Sequence, residues 1–318
     1  MSGVPAVCCV CEQPVGPEAP RLGGRAYCER HFARVGHDRR GHWLASGALI
    51  LGLAVFVVLA MELFSLEPFA GLTGAGLIAA GVVLAVVPAA LWLAFFYYQD
   101  RLEPEPKGSL ALVFTGGLLV ASVGQSIVRD LFGTQDWLAA SPLVEILGGI
   151  LVVGFTQEFL KYAVVRYTVY STTEFDERVD GLIYGTAAGL GYATWLNVDT
   201  VLSQGGVALA AGVVTVAVNA LAQASFGGIM GYFLGRAKFE RGDVYWLPIG
   251  LALAATCNGL FAYGRARVVA GALTAEGRAL NPAYGLALAV AFSIVVVAVL
   301  LALVRRANQM TLTREGRS

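Results

Sequence analysis

The chain has 318 residues, of which 14% are charged and 57% hydrophobic, and 22 basic residues balance 22 acidic ones. Soluble domains carry roughly 25% charged residues, so this composition excludes an ordinary soluble fold and predicts an all-α, polytopic membrane protein. The zero net charge gives no indication of nucleic-acid binding. Five cysteines, four of them before residue 29, are too few and too unevenly placed for a disulfide scaffold.

The first 42 residues contain a cysteine and histidine pattern with the spacing of a structural zinc site. Two close pairs, Cys8-x2-Cys11 and Cys28-x2-His31, are separated by sixteen residues. Each pair presents two ligands to one metal, so together they supply the tetrahedral Cys3His set that structural Zn2+ takes. Residues 24–32 resemble the closing half of a LIM-type zinc module. We therefore predict a small knuckle in which these four side chains hold structural zinc.

Zinc would supply most of the folding free energy of the knuckle, because a segment of about 40 residues is too small to bury its own core. Cys9 is predicted to be a bystander, and His37 and His42 are predicted to be solvated, with either histidine as an alternative to His31. The remaining alternative is a tail with unpaired thiols. No apolar run precedes these residues, so no secretory signal peptide is predicted.

Eight apolar stretches follow the knuckle, and each approaches or exceeds the ~20 residues that cross a hydrocarbon core of about 30 Å. Lipid cannot satisfy exposed backbone groups, so each stretch is predicted to be a helix. The chain thus divides into a knuckle at 1–42, an eight-helix transmembrane domain at 43–305 and a tail at 306–318. The eight stretches are residues 43–64, 71–98, 109–128, 143–169, 181–202, 207–235, 245–264 and 282–304.

The distribution of Lys and Arg predicts the orientation of these spans. Eighteen of the 22 basic residues fall on the side that holds both termini, and the positive-inside rule makes that side cytoplasmic. Arg265, Arg267 and Arg278, after the seventh stretch, are exceptions. We therefore predict that the N-terminus and the C-terminus are both cytoplasmic.

Ionisable and amide side chains inside the predicted spans are costly and mark function. The fourth stretch contains Gln157, Glu158 and Lys161. Glu158 and Lys161 stand at i and i+3 on one helical face, so the two charges can pair. The next three stretches carry the amides Asn197, Gln223 and Asn258.

Four ordered sequence blocks between about residues 100 and 263 resemble the PrsW family of bacterial intramembrane metalloproteases. The resemblance implies a PrsW-like helical domain, a location in the bacterial cytoplasmic (inner) membrane, and metal-dependent peptide hydrolysis. The blocks are Asp100-Arg-Leu-Glu-Pro-Glu-Pro106, Gln157-Glu-Phe-Leu-Lys161, Asp180-Gly-Leu-Ile-Tyr-Gly185 and Gly227-Gly-Ile-Met-Gly231.

The residues that carry the chemistry in that family are changed in this chain. Members have a Glu-Glu-x-x-Lys motif, a Glu-Asn pair and one histidine in each of two later spans, and these carboxylates and histidines are taken to bind the metal. The resemblance retains Glu158, Lys161 and Asn197. It places uncharged side chains at the other four positions, namely Gln157, Leu196, Gln223 and Asn258.

All three histidines of the chain precede the first span, so no span offers the imidazole that a catalytic metal commonly takes. Cys257 and Asp199 are the other candidates beside Glu158, but Asp199 stands two residues after Asn197 and faces away from it. Neutral amides are weak ligands, and in membrane helices they commonly bond neighbouring helices together. The sequence therefore predicts no catalytic metal in the membrane domain.

The favoured functional prediction is a non-catalytic member of this fold, a pseudoprotease that binds or regulates membrane-embedded partners. The expected partners are lipid and a single-span or other membrane protein, with a homo-oligomer as a further option and no nucleic acid. The main alternative is an active intramembrane metalloprotease that cleaves an anti-sigma-factor-like single-span protein. A channel or transporter oligomer is the second alternative, disfavoured because stretches six to eight carry charged residues only at their ends.

Overall fold

The computed structural model describes residues 7–8, 11, 13–22, 25–37, 51–52, 55–63, 72–99, 107–172, 174–175, 178–205, 209–239, 245–270, 286–296, 298–300 and 302–303. Apart from one short hairpin, the regular structure in these residues is helical. The predicted all-α, polytopic architecture is confirmed.

The N-terminal knuckle consists of a short hairpin followed by one helix. Strand β1 (Arg21–Leu22) pairs antiparallel with strand β2 (Arg25–Ala26). Helix α1 (Glu29–His37) begins directly afterwards, and the Cys28 carbonyl accepts hydrogen bonds from the amides of residues 31 and 32. The hairpin and the first turn of α1 therefore lie next to each other in the chain, with Cys28 between them.

The membrane domain contains longer helices joined by short connections. Two π-helical segments interrupt the α-helical pattern: Ile127–Leu131 continues α3, and Gly149–Gly154 joins α5 to α6. A shorter apolar helix, Leu286–Leu300, lies near the C-terminus. The helices are α2 (Gly74–Gln99), α3 (Lys107–Ser126), α4 (Thr134–Trp137), α5 (Pro142–Gly148), α6 (Phe155–Thr168), α7 (Arg178–Ser203), α8 (Leu209–Phe239) and α9 (Trp246–Ala270).

Within the described residues, five helical spans are long and apolar enough to cross a membrane: Gly74–Leu91, Lys107–Leu131, Pro142–Thr168, Gly212–Lys238 and Trp246–Arg267. They correspond to the second, third, fourth, sixth and seventh predicted stretches. The fifth stretch forms α7, which is long enough but less apolar than the other five, because glycine, tyrosine, threonine and asparagine residues interrupt its apolar residues. The first stretch is described only in part and the eighth forms the shorter helix, so the count of eight spans stays a prediction.

Helices α7 and α8 form the centre of the bundle and pack with their backbones in close contact. A Cβ atom on Gly185 would clash with the carbonyl oxygen of Gly227, and one on Gly227 would clash with the carbonyl of Gly185. Small residues allow such approach in membrane helices, where van der Waals packing drives association. Gly189, on the same face of α7, packs against the backbone of Gln223. This helix contact therefore sets where the Gln223 side chain lies along α8 and which way it points.

The π-helical segment before α6 makes a second close approach, to α9. A Cβ atom on Gly259 would lie 2.6 Å from the backbone nitrogen of Ile150, and one on Gly154 would collide with the carbonyl oxygen of Ala255. Segments of this kind frequently occur at functional sites. Here the contact brings the start of α6, which carries Glu158, against the part of α9 that carries Asn258.

Candidate functional site

A buried cluster of polar side chains lies where α6, α8 and α9 meet. Helix α6 supplies Gln157, Glu158 and Lys161, helix α8 supplies Gln223, and helix α9 supplies Asn258. Each of these side chains is at most 7% exposed, and Glu158 is fully buried. The structure therefore brings together five of the seven predicted membrane-site residues, and we call these five the membrane centre.

Hydrogen bonds connect all five residues of the membrane centre. The Lys161 ammonium donates to Glu158 Oε1 at 2.6 Å and to Gln223 Oε1 at 2.7 Å. Asn258 Nδ2 donates to Glu158 Oε1 at 2.7 Å and to Gln157 Oε1 at 2.9 Å. Gln223 Nε2 donates to Gln157 Oε1 at 3.2 Å, which closes the network. The predicted pairing of Glu158 with Lys161 is present, and it is part of a network that spans three helices.

Aromatic rings complete the surroundings of the Lys161 ammonium. Its nitrogen lies 5.5 Å from the centre of the Tyr192 ring, on α7, and 5.7 Å from that of Phe226, on α8. Both distances are within the range of cation–π attraction. Two buried oxygens near this network have no protein hydrogen-bond partner, namely Glu158 Oε2 and the Tyr192 hydroxyl.

The two remaining predicted residues lie on α7, outside this hydrogen-bond network. Asn197 donates to the Val216 carbonyl at 3.3 Å and accepts a 2.7 Å hydrogen bond from Asn219 on α8. Leu196 is partly buried and has no polar side-chain atom to contribute. Asp199, considered from the sequence as a further ligand, instead lies 3.8 Å from Arg129, and both side chains are partly exposed.

Two contributors to the polar interior were missed by the sequence reasoning, namely Asn219 and Tyr192. Asn219 stands four residues before Gln223 on α8, so the helical repeat places two amides on one face, and this spacing was a usable signal. Tyr192 carried no such signal, because an aromatic residue in an apolar span reads as ordinary packing. Only the approach of α7 to α6 brings its ring beside Lys161.

The donor set of the membrane centre does not fit a catalytic metal. Glu158 is its only carboxylate, the other oxygen donors are neutral amides, and an ammonium already lies 2.6 Å from the carboxylate. Catalytic zinc sites use three protein ligands of the imidazole, carboxylate or thiolate type and keep one position open for water. Within the described residues, the one cluster of three or more His, Cys, Asp or Glu side chains with converging ligand atoms is in the knuckle.

The knuckle does fit a metal. The ligand atoms of Cys8, Cys11, Cys28 and His31 all lie within 4.8 Å of one another. His31 Nδ1 is 3.5 Å from Cys8 Sγ and 3.2 Å from Cys28 Sγ. Tetrahedral bonds of about 2.3 Å to sulfur and 2.0 Å to nitrogen would separate such atoms by about 3.5 Å. These four residues could therefore hold one metal ion as predicted, whereas Cys9 and His42 lie outside the described residues.

An apolar groove of about 470 Å³ runs along the membrane domain beside the membrane centre. The segment Gly149–Gly154 and α6 form one wall, α9 forms the other, and Met230 of α8 also lines the groove. Phe155 and Tyr162 stand one turn before and after Glu158 on α6, while Ala255 stands one turn before Asn258 on α9. The residues that define this lateral groove include Ile150, Phe155, Tyr162, Leu251, Ala252 and Ala255.

The sequence between residues 105 and 304, well over half of the chain, matches the model of the PrsW family intramembrane metalloproteases. The chain belongs to the PrsW family. It is 35% identical over 155 residues to Protease PrsW of Geobacillus kaustophilus, a match that covers 48% of this chain and 65% of that protein. It is 32% identical over 178 residues to Protease PrsW of Halalkalibacterium halodurans, covering 55% of this chain and 79% of that protein.

A third relative, Protease PrsW of Bacillus subtilis, is 29% identical over 180 residues, covering 55% of this chain and 78% of that protein. No solved structure matches the chain. The names of these relatives favour the predicted alternative, an active protease, over a non-catalytic role. They concern the relatives, whereas the PrsW-family membrane centre of this chain has the amide and ammonium composition described above. The knuckle lies before the residues that the family model matches.

Proposed function

We propose that this PrsW-family membrane protein binds a membrane-embedded segment of another protein and does not hydrolyse it. The observation that carries the proposal is the membrane centre, where Lys161 and three amides surround the single carboxylate of Glu158. Without a metal, nothing in this centre would lower the pKa of an attacking water to the neutral range. A helical fold that accommodates a peptide segment can keep that surface after the metal ligands are gone, by analogy of fold.

The lateral groove is the proposed binding surface, and a transmembrane helix of a single-span protein is the proposed occupant. The groove is apolar and lies between two candidate membrane spans, Pro142–Thr168 and Trp246–Arg267. Its walls are the same helices that carry Glu158 and Asn258, so an occupant would lie directly beside the membrane centre. An occupant at this depth has to be apolar, because an unpaired polar group in lipid is costly.

A crosslinking experiment tests this binding surface. A photoreactive residue at Ala252, which lines the groove, is compared with one at Leu253, the next residue on α9, which is exposed but does not line it. Co-expression with a panel of tagged single-span proteins should give a specific adduct from position 252 and none from 253. Ala252→Trp should reduce capture about tenfold by filling the groove. Equal adducts from both positions, or lipid adducts alone, would contradict the proposal.

Peptide hydrolysis is the second candidate function, because the relatives at 29–35% identity are all named as proteases. Glu158 Oε2 is also buried without a protein partner, so it has a free lone pair for a water molecule. The same single-span panel distinguishes the two functions when cleavage is followed for wild type and Glu158→Gln. Any cleavage that the substitution abolishes, chelator-sensitive or not, would replace the binding proposal with this one.

We propose that the metal of the knuckle is structural zinc. Cys8, Cys11, Cys28 and His31 would fill all four positions of a tetrahedral ion, which would cross-link the N-terminal turn to α1. Zinc content of a peptide of residues 1–42 tests the ligand set: Cys8→Ser with Cys28→Ser should abolish stoichiometric zinc, while Cys9→Ser should not. Stoichiometric zinc in the double variant would exclude these ligands.

We further propose that the protein lies in the bacterial inner membrane with both termini in the cytoplasm. The Lys and Arg distribution supports this orientation. Arg267 on α9 is one of the basic residues on the opposite side. Its charge is partly neutralised by a 2.7 Å ion pair with Glu145 on α5. Reporter fusions after Gly71 and after Gly205 should report the outside, and one after Lys238 the inside. A consistent inversion would disprove the orientation.

A further inference from the structure

The buried Glu158 carboxylate needs a positive charge nearby, and the structure provides one from the chain itself. Glu158 is fully buried among three helices, and a charge removed from water at this depth requires a close counter-charge. The amides of Gln157, Gln223 and Asn258 are neutral, so they can donate or accept hydrogen bonds but cannot supply that charge. The ammonium of Lys161, 2.6 Å away, supplies it.

The surroundings of this ammonium resemble a coordination shell. A lysine ammonium has three donors and no acceptor. One donor is directed to Glu158 Oε1 and another to Gln223 Oε1, at nearly equal distances of 2.6 and 2.7 Å. The faces of Tyr192 and Phe226, at 5.5 and 5.7 Å from the nitrogen, attract the same positive charge. An anionic oxygen, a neutral oxygen and two aromatic rings together form a cage for one cation.

The position of the cage matters for metal binding. Gln223 stands where the PrsW resemblance places a histidine ligand, and Glu158 is the retained carboxylate of the Glu-Glu motif. The ammonium lies between the oxygens of these two residues, where a metal bound by them would also have to lie. The resemblance gives metal-binding members the same lysine, so the difference in this chain is that Gln157, Gln223 and Asn258 bring no negative charge. A divalent ion here would meet the ammonium at close range with only one carboxylate to offset the repulsion, which is strongly unfavourable in a low-dielectric interior.

We propose that Lys161 is the resident cation of the membrane centre: its ammonium occupies the place of a metal ion and makes the centre metal-independent. The centre then acts as a permanent cross-link of α6, α8 and α9. This inference holds whether or not the lateral groove captures a client. Its tests measure metal content and thermal stability, so its failure is distinguishable from failure of the binding proposal.

The first test is a metal count on the full-length protein in detergent with the knuckle disabled by Cys8→Ser and Cys28→Ser. We expect no stoichiometric metal, and no rise in Tm when Zn2+ or Mn2+ is added. One tightly held metal ion per chain in this variant, or a metal-dependent rise of several degrees in Tm, would overturn the inference.

The second test removes the ammonium and returns it from solution. Lys161→Ala should lower Tm by about 10 °C, because breaking one side of a buried ion pair leaves an uncompensated charge. Propylammonium, which replaces the missing part of the side chain, should restore part of the loss, and 1-propanol of similar size should not. Equal restoration by both would show that volume rather than charge is needed, and would overturn the inference.

A paired substitution keeps the second test decisive if Lys161→Ala does not fold. Glu158→Gln with Lys161→Met removes both charges and retains their approximate volumes. The double variant should fold and be more stable than either single variant, because no unpaired charge remains. A double variant that is no more stable than Lys161→Met or Glu158→Gln alone would show that the two charges are not coupled, and the inference would fail.

Discussion

The knuckle and the membrane centre are both small clusters that join separate parts of the chain, yet their chemistry is opposite. The knuckle brings together three thiols and an imidazole, whose ligand atoms lie within 4.8 Å of one another. The membrane centre brings together one carboxylate, three amides and an ammonium that lies 2.6 Å from the carboxylate. Thiolates and imidazoles bind a cation from solution, whereas the membrane centre contains its own. Donor chemistry therefore favours a bound metal in the knuckle and an internal cation in the membrane centre, where the resemblance to the PrsW family places metal ligands.

The largest expected effect is the loss of metal from the knuckle. Cys28→Ser should remove a ligand that metal-dependent folding requires, since structural zinc contributes about 10–16 kcal/mol in comparable peptides. We expect loss of stoichiometric zinc from the full-length protein and protease sensitivity confined to residues before about 42, with the Tm of the membrane domain unchanged. A parallel fall in the membrane-domain Tm would show that the two clusters are coupled.

The next effect concerns the helix contact that positions Gln223. Gly185→Ala places a methyl group against the carbonyl of Gly227 and should prevent folding of the membrane domain, or lower its stability by about 3 kcal/mol or more. Gly264→Ala on α9 is the matched control, because a Cβ there has open space around it. Monodispersity and thermal unfolding in detergent measure both variants. Equal behaviour of the two would contradict the close packing of α7 on α8.

An effect of similar size distinguishes the buried ion pair from an exposed one. Glu158→Gln leaves the Lys161 ammonium buried without an opposite charge and should lower the free energy of unfolding by about 3–5 kcal/mol. Glu145→Gln breaks the exposed pair with Arg267 and should cost about 0–1 kcal/mol. Unfolding by SDS titration in micelles compares the variants. Similar losses would mean that burial does not set the strength of the Glu158 interaction.

The smallest effect concerns the second polar cluster, where Asn219 donates to Asn197. Asn219→Ala leaves one buried amide oxygen without its donor and should cost about 1–3 kcal/mol of stability. Because this pair lies outside the membrane centre, the metal content and the effect of Lys161→Ala should not change. If Asn219→Ala and Lys161→Ala are not additive, the two clusters form one network.

The sequence alone determined the helical membrane architecture, the metal-binding pattern of the knuckle and the contacts that lie within one helical turn. Its apolar stretches predicted helices because lipid leaves no other way to satisfy the backbone, and its Cys-x2-Cys and Cys-x2-His pairs predicted a metal-binding knuckle because the spacing is local. The pairing of Glu158 with Lys161 was predictable for the same reason, since both lie within one helical turn. Membership in the PrsW family followed from ordered sequence blocks.

The tertiary structure decided which distant side chains meet. Gln223 and Asn258 are 62 residues from Lys161 and 100 residues from Glu158 respectively, so no local rule could place their amides against these charges. The tertiary structure also places Asn197 outside the membrane centre, bonded to Asn219, and brings the Tyr192 ring beside the Lys161 ammonium. The physical reason is that helix packing depends on backbone approach at positions such as Gly185 and Gly259, and this sets the rotation and depth of each helix. Local sequence fixes a helix and its faces, while the face that meets a neighbour is settled only when the whole bundle packs.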